Sequence, residues 1–419
     1  MLAASIVALA VVTISAADNW PQWRGPEMNG ISTETGLPLK WSTEQNIAWK
    51  LAMPSHTGAT PIIWKDHIFL NVATHDSSGD LELWCVDRNK GQVVWKRPLG
   101  AGNHIERKQN MSSPSPVTDG THVWAMTGTG HLRAFDFAGN QIWARDIQAD
   151  YGRFGLNWGY ASSPRLYQDA LFVQVLHGMK TDDPSYLLRI DKNTGKTVWK
   201  VERPTAAIRE SPDAYNTPAI ITHDGTAELV ISGGDDVTGH DPATGKELWR
   251  SHGLNPRNDP NYRIIASTLI AGNVIISPTR ESPMLALKPG GRGDVTSTHR
   301  LWSFDRGPDV PSPVSDGKYV YVLTDRGVVH CLDLQTGKIV YGPARLRPDN
   351  YSASPVLADG KIYVISENDG VTSVFSAGPK FELLAENSLN DYCLSSLAVS
   401  EGQIFIRTTQ YLWAIGKRR

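Results

Sequence analysis

Three observations predict an all-β fold, specifically an eight-bladed β-propeller of four-stranded antiparallel blades. Hydroxyl residues recur at one phase of a long repeat, tight Asp-Gly turns separate short apolar strands, and an aromatic ring keeps step with each repeat. The hydroxyl column is Thr60, Ser115, Ser163, Thr217, Ser267, Ser312, Ser354 and Ser396. Its mean spacing is about 48 residues, the length of one propeller blade.

Each period reads as four strands. Pro follows most of the column hydroxyls, and a strand start tolerates it because no ladder N–H is needed there. Asp119-Gly120, Asp224-Gly225, Asp316-Gly317, Asp359-Gly360 and the variant Glu401-Gly402 then supply the positive φ of a tight hairpin. The second strand alternates apolar with polar or aromatic residues, as in Tyr319–Leu323 and Ile362–Ile365. The third strand ends in an Asp column: Asp87, Asp136, Asp191, Asp241 and Asp333. These read as turn formers before Gly91, Gly139, Gly195, Gly245 and Gly337. The fourth strand carries Trp95, Trp143, Trp199, Trp249, Trp302 or Tyr341, one large ring to pack between neighbouring sheets. The eighth repeat reaches Leu412–Ile415 and ends one strand short. Asn46–Leu51 fits the fourth-strand pattern without three strands before it, so the ring is expected to close by an N-terminal strand joining the C-terminal blade.

Composition narrows the rest. The 419 residues are 40% apolar and 20% charged, which excludes disorder over the whole length. The formal charge of −2 gives no electrostatic footprint for nucleic acid. Leu2–Ile14 is apolar but too short to span a bilayer, and Ser15-Ala16-Ala17 suits a cleavage site. Residues 1–17 therefore read as a signal peptide, 18–40 as a leader and 41–419 as one propeller. The chain is expected to be exported to the periplasm or beyond, with no transmembrane segment in its mature part and as a monomer. Cys85, Cys331 and Cys393 are too few for a disulfide framework. Cys85 and Cys331 fall at a small-residue position of the third strand, where a buried free thiol is expected.

Asp191-Lys-Asn-Thr-Gly195-Lys-Thr-Val-Trp199 and Asp241-Pro-Ala-Thr-Gly245-Lys-Glu-Leu-Trp249 resemble the tryptophan-docking repeat of the PQQ-like (pyrroloquinoline-quinone-like) propeller family. Trp20-Pro-Gln-Trp23-Arg-Gly-Pro26 is similar to the leader of exported bacterial PQQ-like repeat proteins. The resemblance implies an eight-bladed propeller over about residues 40–419. Its catalytic members imply PQQ with calcium, a vicinal disulfide and an Asp base. No vicinal Cys pair occurs here, and no calcium-ligand set is matched. Its assembly members imply a scaffold, though no lipid-attachment Cys follows the signal.

Loops that join the outer strand of one blade to the inner strand of the next gather at one channel mouth, and such loops on a rigid scaffold carry binding. They bring His56, Asn110, Trp158, Tyr160, Tyr215, Arg263, Tyr351 and Tyr392 to the rim, either as a polar-aromatic cup or as a plug of packed rings. His104, Glu106, Arg107, Lys108, Arg203, Arg209 and Glu210 add charge from the longest of these loops. No catalytic residue and no metal ligand is assigned, and no cofactor follows from the residues themselves. The reading is an exported non-enzymatic binding or scaffold propeller whose mouth takes a protein, carbohydrate or small ligand. The alternative is a PQQ-dependent quinoprotein oxidoreductase or a polysaccharide-active enzyme.

Overall fold

The computed structural model describes residues 19–417, so the expected signal peptide lies outside the described residues. Eight antiparallel blades form the ring. Blade one is Ile62–Trp64, His67–Ala73, Asp80–Asp87 and Gln92–Ala101; blade six is Val314–Ser315, Tyr319–Leu323, Val328–Asp333 and Ile339–Arg345. In blades one and six the first strand is innermost and mostly buried, while the fourth is mostly exposed or half-buried. Blade eight consists of Ala398–Ser400, Gln403–Arg407 and Tyr411–Ile415, with Ile47–Ala52 paired against its third strand, Leu51 opposite Leu412.

The turn chemistry explains the hairpins between third and fourth strands. Asp191 Oδ1 accepts the N–H groups of Asn193 and Thr194, and Asp333 does the same for Gln335 and Thr336. The glycine that follows has positive φ, 69° at Gly195 and 67° at Gly337. It also seats the previous blade's tryptophan: a Cβ on Gly195 would lie 2.6 Å from Trp143, and one on Gly337 2.5 Å from Trp302. Each docked indole donates to a carbonyl of that turn, Trp95 to Phe137, Trp143 to Lys192, Trp199 to Pro242 and Trp302 to Leu334, at 2.9–3.1 Å. Trp49 of the N-terminal strand docks on blade one in the same way, through Arg88 O at 2.7 Å.

Blade four departs from this rule. Its Trp249 donates to Glu228 Oε2 within its own blade, because residues 288–299 replace the turn that would receive it. Within that insertion Gly293–Asp294 runs parallel to the outer strand, with Gly293 opposite Trp249.

The hydroxyl column forms a circular ladder. The N–H of Thr60 donates to Ser115 Oγ, Ser115 to Ser163, Ser163 to Thr217, Thr217 to Ser267, Ser267 to Ser312, Ser312 to Ser354 and Ser354 to Ser396, at 2.9–3.3 Å. Each inner strand starts beside the channel, where its first N–H has no strand partner. The neighbour's hydroxyl supplies the acceptor.

All three cysteines are free and buried, and burial pushes the thiols of Cys85 and Cys331 up to about 12. Thiolate is the reactive form. A thiol reagent should therefore leave the native protein unlabelled over hours and label every cysteine once guanidinium is added. Rapid native labelling would show that the blade interiors open.

Candidate functional site

The leader closes one end of the channel. Trp20 forms an antiparallel bridge with Ile63 of blade one, and Ile31 a parallel one with Leu357 of blade seven. Between them, Thr118 N of blade two donates to Pro21 O, and Arg24 Nη2 donates to Pro313 O of blade six. The stretch from Trp20 to Ile31 thus crosses the channel at the end opposite the long loops. Trp23 faces inward as a wall residue of the cavity above it.

That cavity is a cup of about 440 Å³ opening at the loop-rich mouth. Its collar is the hydroxyl ladder, from which Ser115, Ser163, Thr217, Ser354 and Ser396 reach the cavity. Each of these hydroxyls already accepts a neighbour's N–H, so its own proton is free to donate. Aromatic faces come from Trp158, Tyr215 and Tyr351, and charge from Lys108, Arg263, Arg326, Asp309, Asp325 and Glu367.

Two pairs of these charged groups are cross-linked. Lys108, at the tip of a small hairpin (Ile105–Glu106 with Gln109–Asn110), reaches Glu367 of blade seven at 2.7 Å. Glu367 is buried and also accepts from Ser352 and Tyr392. Arg263 pairs with Asp309 at 3.2 Å and lies over the Trp158 ring at 5.2 Å, and Arg107 lies over the same ring at 4.2 Å. Trp158 Nε1 donates to Glu210 at 2.7 Å, which fixes the ring plane.

Burial, reinforced by Asp309, pushes the Asp325 carboxyl up to about 6 even though it accepts the N–H of Val310 at 2.8 Å. Burial also raises Asp309, against the pull of Arg263 and Arg280. Asp325 therefore holds a proton more tightly in the folded state than in the unfolded chain. Its favourable contribution is complete below pH 4 and is lost as pH rises through 6. Asp325→Asn should accordingly be as stable as wild type at pH 4 and more stable at pH 7, in paired denaturant melts. A difference that does not grow over that interval would contradict the burial of this carboxyl.

The residues expected at the rim divide by position. Trp158, Tyr215, Arg263 and Tyr351 line the cup. Tyr392 sits behind it, on Glu367. His56 pairs with Asp76 at 2.9 Å, Asn110 donates to His56 O, and Tyr160 is buried with its hydroxyl on Gln174 O. These last three order the loops around the cup. Sequence reasoning overlooked the turns between second and third strands, which share this face and supply Asp325, Arg326 and Glu367. Their signal was a hydroxyl followed by an acid directly after the second strand, Thr324-Asp325 and Ser366-Glu367. It also overlooked Trp23.

Calcium takes six to eight oxygens, several from carboxylates. Among the described residues no group of three His, Cys, Asp or Glu side chains converges to hold a metal ion. Of the cup carboxylates, Glu367 is taken by Lys108, Asp309 by Arg263 and Asp325 by backbone N–H groups. These residues do not fit a calcium-assisted quinone.

The chain matches the family model described as outer membrane protein assembly factor BamB over residues 6–201, 86–342 and 233–380. No curated protein matches it. Among solved structures, BamB from Moraxella catarrhalis is similar with a TM-score of 0.60 at 14% identity, over 88% of this chain and 99% of that one. A europium-containing methanol dehydrogenase gives 0.70 at 11% identity, over 94% and 90%. A quinohemoprotein alcohol dehydrogenase from Comamonas testosteroni gives 0.67 at 12%, over 97% and 82%. At these identities the likeness is one of fold.

Proposed function

Because the chain belongs to the PQQ-like repeat family of the outer membrane protein assembly factor BamB, we propose that it is an exported, non-enzymatic binding propeller whose cup docks a segment of a partner protein. The observation that carries this reading is the blind cup itself: floored by Trp23, walled by aromatic faces, with Lys108 and Arg263 already paired to Glu367 and Asp309. Such a wall offers stacking surface and hydroxyl donors, which suit an extended polar segment. Among the described residues no helix is long and apolar enough to cross a membrane.

The test is photo-crosslinking in the source cell from benzoylphenylalanine placed at Arg107, above the cup. A discrete adduct is expected there. It should disappear when Trp158→Ala is added, and it should be absent when the crosslinker replaces exposed Val198 on an outer strand. Equal adducts at both places, or an adduct indifferent to Trp158, would refute docking in the cup.

A second reading, acid–base chemistry on a polysaccharide, draws on the raised carboxyls of Asp309 and Asp325. It requires turnover that Asp325→Asn abolishes while binding persists.

A further inference from the structure

Arg24 stands out in the channel. Its side chain is buried, the residue being 2% exposed, and its Nη2 donates to Asn29 O at 3.1 Å and to Pro313 O at 2.7 Å. Its Nε and Nη1 are also buried and have no partner. Among the described residues no carboxylate lies within ion-pair distance of it. Gly30, at φ 76°, makes the space: a Cβ there would meet Arg24 Nη2 at 2.6 Å and Pro355 O at 2.9 Å. The guanidinium is therefore held against the inner strands of blades six and seven, one residue past the ladder positions Ser312 and Ser354. The Trp23 ring lies 6.0 Å away.

A second guanidinium repeats the condition. Arg165, two residues past Ser163 in blade three, is 5% exposed, with Nε and Nη1 buried and unpartnered. Arg24 of the leader and Arg165 of an inner strand are thus buried cations with unpartnered donors, and of the two only Arg165 feels a carboxylate, that of Glu27. A buried cation is costly unless it is paired and its donors are satisfied. Burial alone pulls Arg24 down to about 9.

We infer that the channel beneath the Trp23 floor holds a small anion drawn from solvent, chloride or an inorganic oxyanion, on the free Nε–H or Nη1–H donors of Arg24. An anion that accepts from a guanidinium N–H makes a charge-assisted hydrogen bond, roughly twice as strong as one between neutral groups. The anion completes the hydrogen bonding of the residue that ties the leader to blade six, so its binding and the seating of the leader are linked. This inference does not depend on what the cup takes.

The test is a thermal melt of the full chain exchanged into sodium gluconate, an anion too large for a buried site. Chloride or phosphate then replaces gluconate at constant ionic strength. The melting temperature is expected to rise and saturate, by roughly 3–6 °C, since a ligand bound only to the folded state stabilises by mass action. A response to chloride alone identifies a halide site, and a response to phosphate an oxyanion site. Arg24→Met should abolish the response. If that variant does not fold, Arg24→Lys, which keeps the charge without the Nε and Nη1 donors, should shift the response to higher anion concentration. A flat wild-type titration in both arms overturns the inference, as does an unchanged response in the substituted chain.

Discussion

A chain lacking residues 18–52 is expected to have no cooperative melting transition at 37 °C or above. The deletion removes Trp20, Trp41 and Trp49, all buried, together with the strand that pairs with Tyr411–Ile415. Truncating one buried ring of this size costs about 3–5 kcal/mol, against a total stability of about 5–15 kcal/mol for a folded domain. The loss also bares the edge of Tyr411–Ile415, which then invites pairing with other chains. Trp49→Ala is the graded version. It takes away the indole bond to Arg88 O and the packing on Phe405 and should cost about 3–5 kcal/mol. Calorimetry of both chains decides the matter. A deleted chain that melts like wild type would mean that the leader and first strand are only draped over the ring.

Tyr351→Ala is expected to lose about 3–5 kcal/mol, while Trp158→Ala loses no more than about 2. Both rings line the cup, but they are held differently. Tyr351 is 1% exposed, lies close over Gly327 and donates its hydroxyl to Arg347 O at 2.9 Å. Trp158 is half-buried and presents its face to the cavity between two guanidinium groups. The rim is thus neither a loose cup nor a solid plug. Some of its rings are masonry and others are surface. Urea melts of the two variants separate these roles, and equal losses would erase the distinction.

The fold was legible because each blade repeats the same physical solutions in phase. Asp191 and Asp333 hold their turns by the same side-chain bonds, and Trp143 and Trp302 sit on the same glycine positions. A single period is ambiguous, but several in register are not. The cup was half legible. Loops before the hydroxyl column could be counted, so Trp158 and Arg263 were within reach. Asp325 and Glu367 come from turns too short to draw notice, and they matter only because the ring brings blades six and seven beside loops that start far away in the chain. Trp23 was hidden for a different reason. Nothing in the composition of the leader says which end of a channel it will stop. Blade four broke the pattern where residues 288–299 displaced the docking turn, a substitution of partner that periodicity alone does not reveal.

The hydroxyl ladder has one further property: it is not endless. Its seven links run from Thr60 to Ser396, and among the described residues the eighth, from Ser396 back to Thr60, is not formed; Thr60 Oγ1 has no partner. The gap falls where the two ends of the chain meet, and other bonds hold that joint. Arg88 reaches Ser400 O and Gln403 Oε1, and Arg407 reaches Ser55 O. The hoop therefore behaves as a split ring with a clasp. Under heat or mechanical pull it should gape at the clasp before any other junction gives, and the amides of Ser396 and its neighbours should exchange with solvent ahead of their counterparts around the circle.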